Sequence, residues 1–319
     1  MGVDAMSDLA VVDPGPLSTL QDLGRPGYQR VGIPPSGPLD RAAFILANRL
    51  VGNADGAAGL ELTLRGPRLE VGRECVVAVT GAEMGFSVDG QAAPTWTAVR
   101  LRPGDVVAFR MVTAGCRAYV AVAGGIETPP VLGSRATYLR GRLGGIEGRA
   151  LQKGDALPVG APRLSLDRLE GRAVPLARRP THPAEIECRV ILGPQDDRFT
   201  PEGVAAFLQG LYEVTPHADR MGYRLKGPLI THARGHDIIS DGIPLGGIQV
   251  PGEGQPIVLL VDRQTTGGYT KIATVISVDI GRLGQAKPGH RVRFRRVTLG
   301  EAHAALAAEA AWLEAALSE

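Results

Sequence analysis

Residues 240–277 read SDGIPLGGIQVPGEGQPIVLLVDRQTTGGYTKIATVIS. Two apolar runs rich in branched residues stand out, 256–261 and 272–278. Each has the length and composition of a buried strand. The connection between them gathers Asp262, Arg263, Gln264, Thr265, Thr266, Tyr269, Thr270 and Lys271 around Gly267-Gly268. A plain hairpin needs about two to five turn residues and little chemistry. The segment just upstream, 240–252, alternates Gly and Pro with Ile, Leu and Val, the pattern of stiffened backbone brought close to a ligand. Turn chemistry explains part of this: the glycines supply positive φ, and Asp and Thr bond locally. Taken together, the adjoining segments point to a site held on rigid strands.

The whole chain fits a β-rich reading. Forty-three Gly and 24 Pro against 4% aromatic residues indicate many turns and compact β structure among 319 residues. Apolar content of 44% and charged content of 21% belong to a globular protein. A net charge of +2, with no basic stripe interleaved with aromatics, argues against nucleic acid as a partner. No apolar run reaches bilayer-spanning length and no basic-then-apolar leader is seen, so no membrane association and a cytoplasmic location are expected. Cys75, Cys116 and Cys188 are odd in number and widely spaced, which suits small core residues better than a metal or redox motif.

Outward from the central stretch, a strand is expected at 9–13. A long loop, 18–40, follows and carries Arg25, Tyr28, Gln29 and Ser36 on Gly- and Pro-stiffened backbone. Asp40 fits the N-cap of a helix running to Val51, stopped by Gly52-Asn53. Strands are expected at 60–64, 75–80, 85–88, 98–101, 106–110 and 118–122. The basic, proline-containing segment 164–183 reads as an inter-domain linker. Beyond it the pattern repeats. LRGP at 64–67 returns as LKGP at 225–228, and LRPGDVVAFR at 101–110 returns as AKPGHRVRFR at 286–295. The pair Val11-Val12 before Gly15-Pro16 returns as Val190-Ile191 before Gly193-Pro194. A helix is expected after the first strand of each copy, at 41–51 and 201–209. The fold class is therefore mainly β with a few helices: two β-barrel domains related by internal duplication. The expected bounds are 1–170 for the N-terminal domain, 185–300 for the C-terminal domain, and a closing helix at 301–319.

Known motifs are mostly excluded. His232 and His236 stand four apart, but Gly235 and the β pattern argue against a helical metal site, and no metal is expected. There is no phosphate-cradling loop, dinucleotide fingerprint or nucleophile elbow around Ser36.

Five blocks carry a resemblance: GRPGYQRVGIPPSGPLDRAAF at 24–44, LELTLRGP at 60–67, GPQDDRF at 193–199, DRMGYRLKGP at 219–228 and the stretch at 240–275. They resemble the biotin-dependent carboxyltransferase family, also called allophanate hydrolase subunit 2-like, and within it the C-type branch of 5-oxoprolinase subunits. The resemblance implies two cyclophilin-like β-barrels, in agreement with the duplication. It also implies partners, a subunit-1-like (B-type) protein and a subunit-A-like protein, in a hetero-oligomer. The activity implied is ATP-dependent opening of 5-oxo-L-proline to L-glutamate, with ATP handled through the complex. The alternatives are a carboxyltransferase component using biotin carried on a partner, and a non-catalytic regulatory binder of a kinase-inhibitor-like partner. No lysine here is flanked by the methionine of a biotin-attachment site. The isolated chain is expected to be inactive.

A lactam or amide substrate needs donors and acceptors in a fixed array. Gln249, Asp262, Gln264, Thr265, Thr266 and Tyr269, with Arg25, Tyr28 and Ser36 from the early loop, are the candidate binding residues. Asp40 and Asp241 are the candidate bases, and Lys271 (or Arg25) stabilises a developing oxyanion or holds a carboxylate. One cleft is expected to unite the two loops.

Overall fold

The first strand, Leu9–Asp13, buries Leu9 and Val11 on alternate positions and pairs with Arg68–Val71 on one side and Ala156–Leu157 on the other. Adding Val106–Ala108, Ser87–Val88 and Gln91–Ala92 completes a six-stranded sheet. A second sheet of five strands runs in the order Ser18–Gln21, Gly59–Thr63, Ala114–Val122, Cys75–Glu83, Ala98–Leu101. Leu9, Val11, Leu69 and Val107 of the first sheet share one apolar core with Leu20, Leu62, Val77 and Val120 of the second. The structure is a computed structural model, and it describes residues 8–317. The chain divides into two compact units, one of residues 1–25, 36–181 and 313–319, the other of 26–35 and 182–312.

In the first unit the five-stranded sheet buries polar side chains on its other face. Thr19, Glu61, Tyr119 and Thr80 are register partners across four strands, and all are buried. The helix Arg41–Leu50 covers them, with Phe44 edge-on to Tyr119 at 5.9 Å and Thr80 Oγ1 donating to the Ala43 carbonyl at 2.7 Å. Tyr119 OH donates to Glu61 at 2.9 Å and accepts from the Asp40 N–H at 2.8 Å, while Glu61 also accepts from the Leu39 N–H at 2.9 Å. The row thus satisfies the chain just before the helix, where backbone donors would otherwise be orphaned.

The second unit is built on a closed seven-stranded barrel. Its order is Glu185–Leu192, Lys271–Val275, Gly247–Gln249, Ile257–Leu259, Gly222–Lys226, Leu211–Ala218 and Arg291–Arg296, which pairs back in parallel with Glu185–Leu192. Alternation along 291–295 puts Val292 and Phe294 inside and the arginines outside, where Arg293 and Arg295 meet Glu185 and Glu187. Phe294 stacks on Phe207 of the helix Pro201–Gln209 with ring centroids 4.6 Å apart. Outside the barrel, Asp237–Gly242 and Thr266–Tyr269 form a two-stranded ribbon of their own.

The repeated Pro-Gly turn is the same device in both units. Asp105 N–H donates to Arg102 C=O at 3.0 Å, and His290 N–H donates to Lys287 C=O at 3.0 Å. Gly104 and Gly289 take φ of 93° and 87°, a conformation that favours glycine. Each glycine N–H then donates to a valine carbonyl, Val71 or Val214, whose own N–H donates to Asp105 or His290. The Leu-basic-Gly-Pro match is looser: Leu225 lies inside a strand, whereas Leu64 follows one at φ 64°.

One expectation changes, and the closing helix forms as expected. Segment 164–183 is no free linker: Leu169 and Val174 are buried, and Gly171, Arg172 and Val174 exchange backbone hydrogen bonds with Trp96 and Ala98 of the first unit. The closing helix, Leu299–Ala315, has no buried residue and leaves Leu306 exposed, because alanines give it no apolar stripe to pack. No helix of the described residues is long and apolar enough to cross a membrane.

Candidate functional site

Lys271 opens a barrel strand and is wholly buried. Gln195 clamps it: Lys271 N–H donates to Gln195 Oε1 at 3.0 Å, and Gln195 N–H donates to the Lys271 carbonyl at 3.1 Å. The Lys271 ammonium reaches Asp241 Oδ2 at 3.4 Å, and the Asp241 side chain is 57% exposed on the ribbon. Asp241 also accepts the Gly242 N–H at 2.6 Å and a hydrogen bond from the Gln195 side chain. The Gly242 N–H first, and then Lys271, hold its carboxyl below the ordinary carboxylate range. Asp241 thus stands as the carboxylate that faces the Lys271 ammonium.

Gln249 is the register partner of Lys271 on the adjacent strand, across a bulge. It is buried, and its amide nitrogen has no hydrogen-bond partner among the described residues. The ribbon lies close against it, since a Cβ on Gly267 would come within 2.8 Å of Gln249 Nε2 and of Ile243 Cδ1. Glycine at 267 lets the ribbon lie this close, and a larger residue there would make the Gln249 and Ile243 side chains shift. Asp241 and Gly267 are partners across the ribbon, as are Gly242 and Thr266. Four segments thus bring Gln195, Asp241, Gln249 and Lys271 together.

The remaining residues of the central stretch divide. Thr266 and Tyr269 are exposed on the ribbon, and the His236 ring stands 6.5 Å from the Tyr269 ring. Gln264 is exposed, and the Thr265 carbonyl accepts the Ile243 N–H. Asp262 is committed elsewhere: it forms a buried two-point pair with Arg220, at 2.8 and 3.2 Å. Arg263 is buried with its guanidinium on the Ile243 and Leu260 carbonyls, and burial lowers its pKa to about 10. His232 is held by the Val250 carbonyl at 3.0 Å and packs at a tilt against the Phe199 ring, which accounts for it structurally.

In the early loop, Tyr28 falls within residues 26–35, which group with the second unit, and its carbonyl accepts the Val31 and Ile33 N–H groups. Arg25, Ser36 and Asp40 belong to the first unit. Arg25 is buried and donates to the Ala136 carbonyl. Ser36 is buried at φ 58°. Asp40 is the helix cap expected of it, accepting the Ala43 N–H at 3.1 Å.

Sequence reasoning missed Gln195 as a partner of Lys271. Its signal was the GPQDDRF block, but nothing local joins it to a lysine 76 residues away. It also read 262–271 as a loop, whereas Thr266–Tyr269 is a strand whose partner lies upstream of the whole barrel hairpin.

The carboxyltransferase domain model, subdomains A and B, matches residues 31–296. The chain is 36% identical over 294 residues to the C-type subunit of 5-oxoprolinase from Escherichia coli K12, spanning 92% of this chain and 93% of that protein. It is 35% identical to urea amidolyase of Lachancea kluyveri over 89% of this chain but only 16% of that protein. The crystal structure of the K. lactis urea amidolyase superposes with a TM-score of 0.91 at 32% identity, over 96% of this chain and 20% of that one. The chain belongs to the carboxyltransferase domain family, subdomains A and B.

Proposed function

We propose that this chain is the C-type subunit of an ATP-dependent 5-oxoprolinase, a partner of A-like and B-like subunits in opening 5-oxo-L-proline to L-glutamate. The observation that supports this most is coverage: the match takes in 93% of a free-standing 5-oxoprolinase subunit, against 16% of a urea amidolyase. In this reading Lys271, Gln249 and Asp241 form the chain's own polar centre. Thr266, Tyr269 and Gln264 line its exposed approach, and other subunits handle ATP.

The likeness to urea amidolyase supports a second reading, a carboxyl-transfer component served by biotin on a partner. The donor set fits that group as well as a lactam, because Gln249 Nε2 and the Lys271 ammonium can both face a ureido oxygen.

Co-expression with the A-like and B-like subunits tests the choice. The purified complex should release glutamate from 5-oxo-L-proline only with ATP, and this chain alone should release none. Transfer of a labelled carboxyl group from a carboxybiotinylated carrier to an amide acceptor, with free biotin regenerated on the carrier and no glutamate release, would overturn the first reading in favour of the second.

A further inference from the structure

Lys271 and Gln249 stand side by side on neighbouring strands, and what they offer is unbalanced. The ammonium has donors and no acceptor, and the free end of Gln249 is an amide nitrogen with two donors. Gln249 is 2% exposed and that nitrogen has no partner among the described residues, while the anion that meets the ammonium is an aspartate on the surface ribbon, 3.4 Å away. We propose that Gln249 and Lys271 form the binding point for the carboxylate of a small ligand, and that Asp241 holds the ammonium until that carboxylate replaces it. The inference rests on the reading of this centre as the chain's ligand site.

A buried ammonium stripped of its partner is strongly destabilising, so Asp241 leaves only when another negative group arrives. A neutral carbonyl satisfies Gln249 but does not compensate the charge. A carboxylate does both, one oxygen toward Lys271 and the other toward Gln249, and the arriving pair is a charge-assisted one. Gln195 fixes the lysine backbone from below and hydrogen-bonds Asp241. It therefore positions both the cation and its resident anion. Gly267 leaves the ribbon close against the amide, and a Cβ there would press on the ends of the Gln249 and Ile243 side chains.

The Ile243 methyl beside Gln249 is a reporter for NMR titration of the full-length chain. Acetate and 5-oxo-L-proline should shift it saturably, and neutral 2-pyrrolidinone should not. Asp241→Asn should tighten acetate binding at least about fivefold by removing the competitor, Gln249→Leu should weaken it at least about fivefold, and Lys271→Met should abolish it. Weaker binding in Asp241→Asn, or unchanged binding in Gln249→Leu, overturns the proposal whether or not Lys271→Met folds. Acetate binding in this pattern, with no turnover by the assembled complex, leaves the subsite standing and removes the oxoprolinase reading. Turnover that survives Lys271→Met and Gln249→Leu does the reverse.

Discussion

Asp262 and Asp241 lie on either side of the same hairpin and are equally polar in sequence, yet their environments give them different work. Asp262 and Arg220 are each about 5% exposed and meet in two hydrogen bonds. Removing one charge from such a pair leaves the other buried without its counter-charge, which costs about 3–5 kcal/mol. Asp262→Asn should therefore lower unfolding free energy by about that amount in a denaturant titration, and a change under about 1 kcal/mol would show the pair to be dispensable. Asp241, by contrast, stands on the surface and is read for its effect on ligands. Which aspartate had which role was not legible, because burial and pairing are set by Arg220, more than forty positions away.

Among the elements, the ribbon Asp237–Gly242 with Thr266–Tyr269 carries the site's variable half, and the barrel strands Gly247–Gln249 and Lys271–Val275 carry its fixed half. Gly267→Ala places a methyl 2.8 Å from Gln249 Nε2. It should abolish the acetate response of Ile243 while moving the melting temperature little, since the ribbon is outside the barrel ladder. Two histidines of the second unit predict a pH response. Burial lowers the pKa of His232 and of His290 below the ordinary 6.5, with His236 and Lys287 respectively adding to the effect. The unfolded chain then binds these protons first, so their contribution is complete above about pH 6.5 and is lost as pH falls through that value. Melting temperature followed between about pH 8 and pH 5 should decline below pH 6.5, and His232→Asn should flatten the decline. An unaltered slope in that variant would assign the effect to other groups. Strands with period-two or continuous apolar runs, such as 9–13, 98–101 and the two around 262–271, were legible because burial follows those patterns. The ribbon was not, since a Gly-Gly strand has no pattern and its pairing is non-local. Glu61 in Leu-Glu-Leu-Thr reads as a solvent-facing position, and is buried only because the helix Arg41–Leu50 lies over it.

For the whole molecule, the Pro-Gly repeat pointed to two related halves, and the same turn with the same hydrogen bonds recurs in both units. Each unit supplies its own core, and the polar centre around Lys271 is complete within the second. Under the proposed function the work is divided, with ATP handled by the A-like and B-like subunits. The most direct measurement is therefore an omission experiment on purified A-like, B-like and C-like subunits with ATP and 5-oxo-L-proline. Leaving out this chain should slow glutamate formation at least about tenfold, about 1.4 kcal/mol in the barrier, and adding it back should restore the rate. Glutamate formed at an undiminished rate without it would contradict the account.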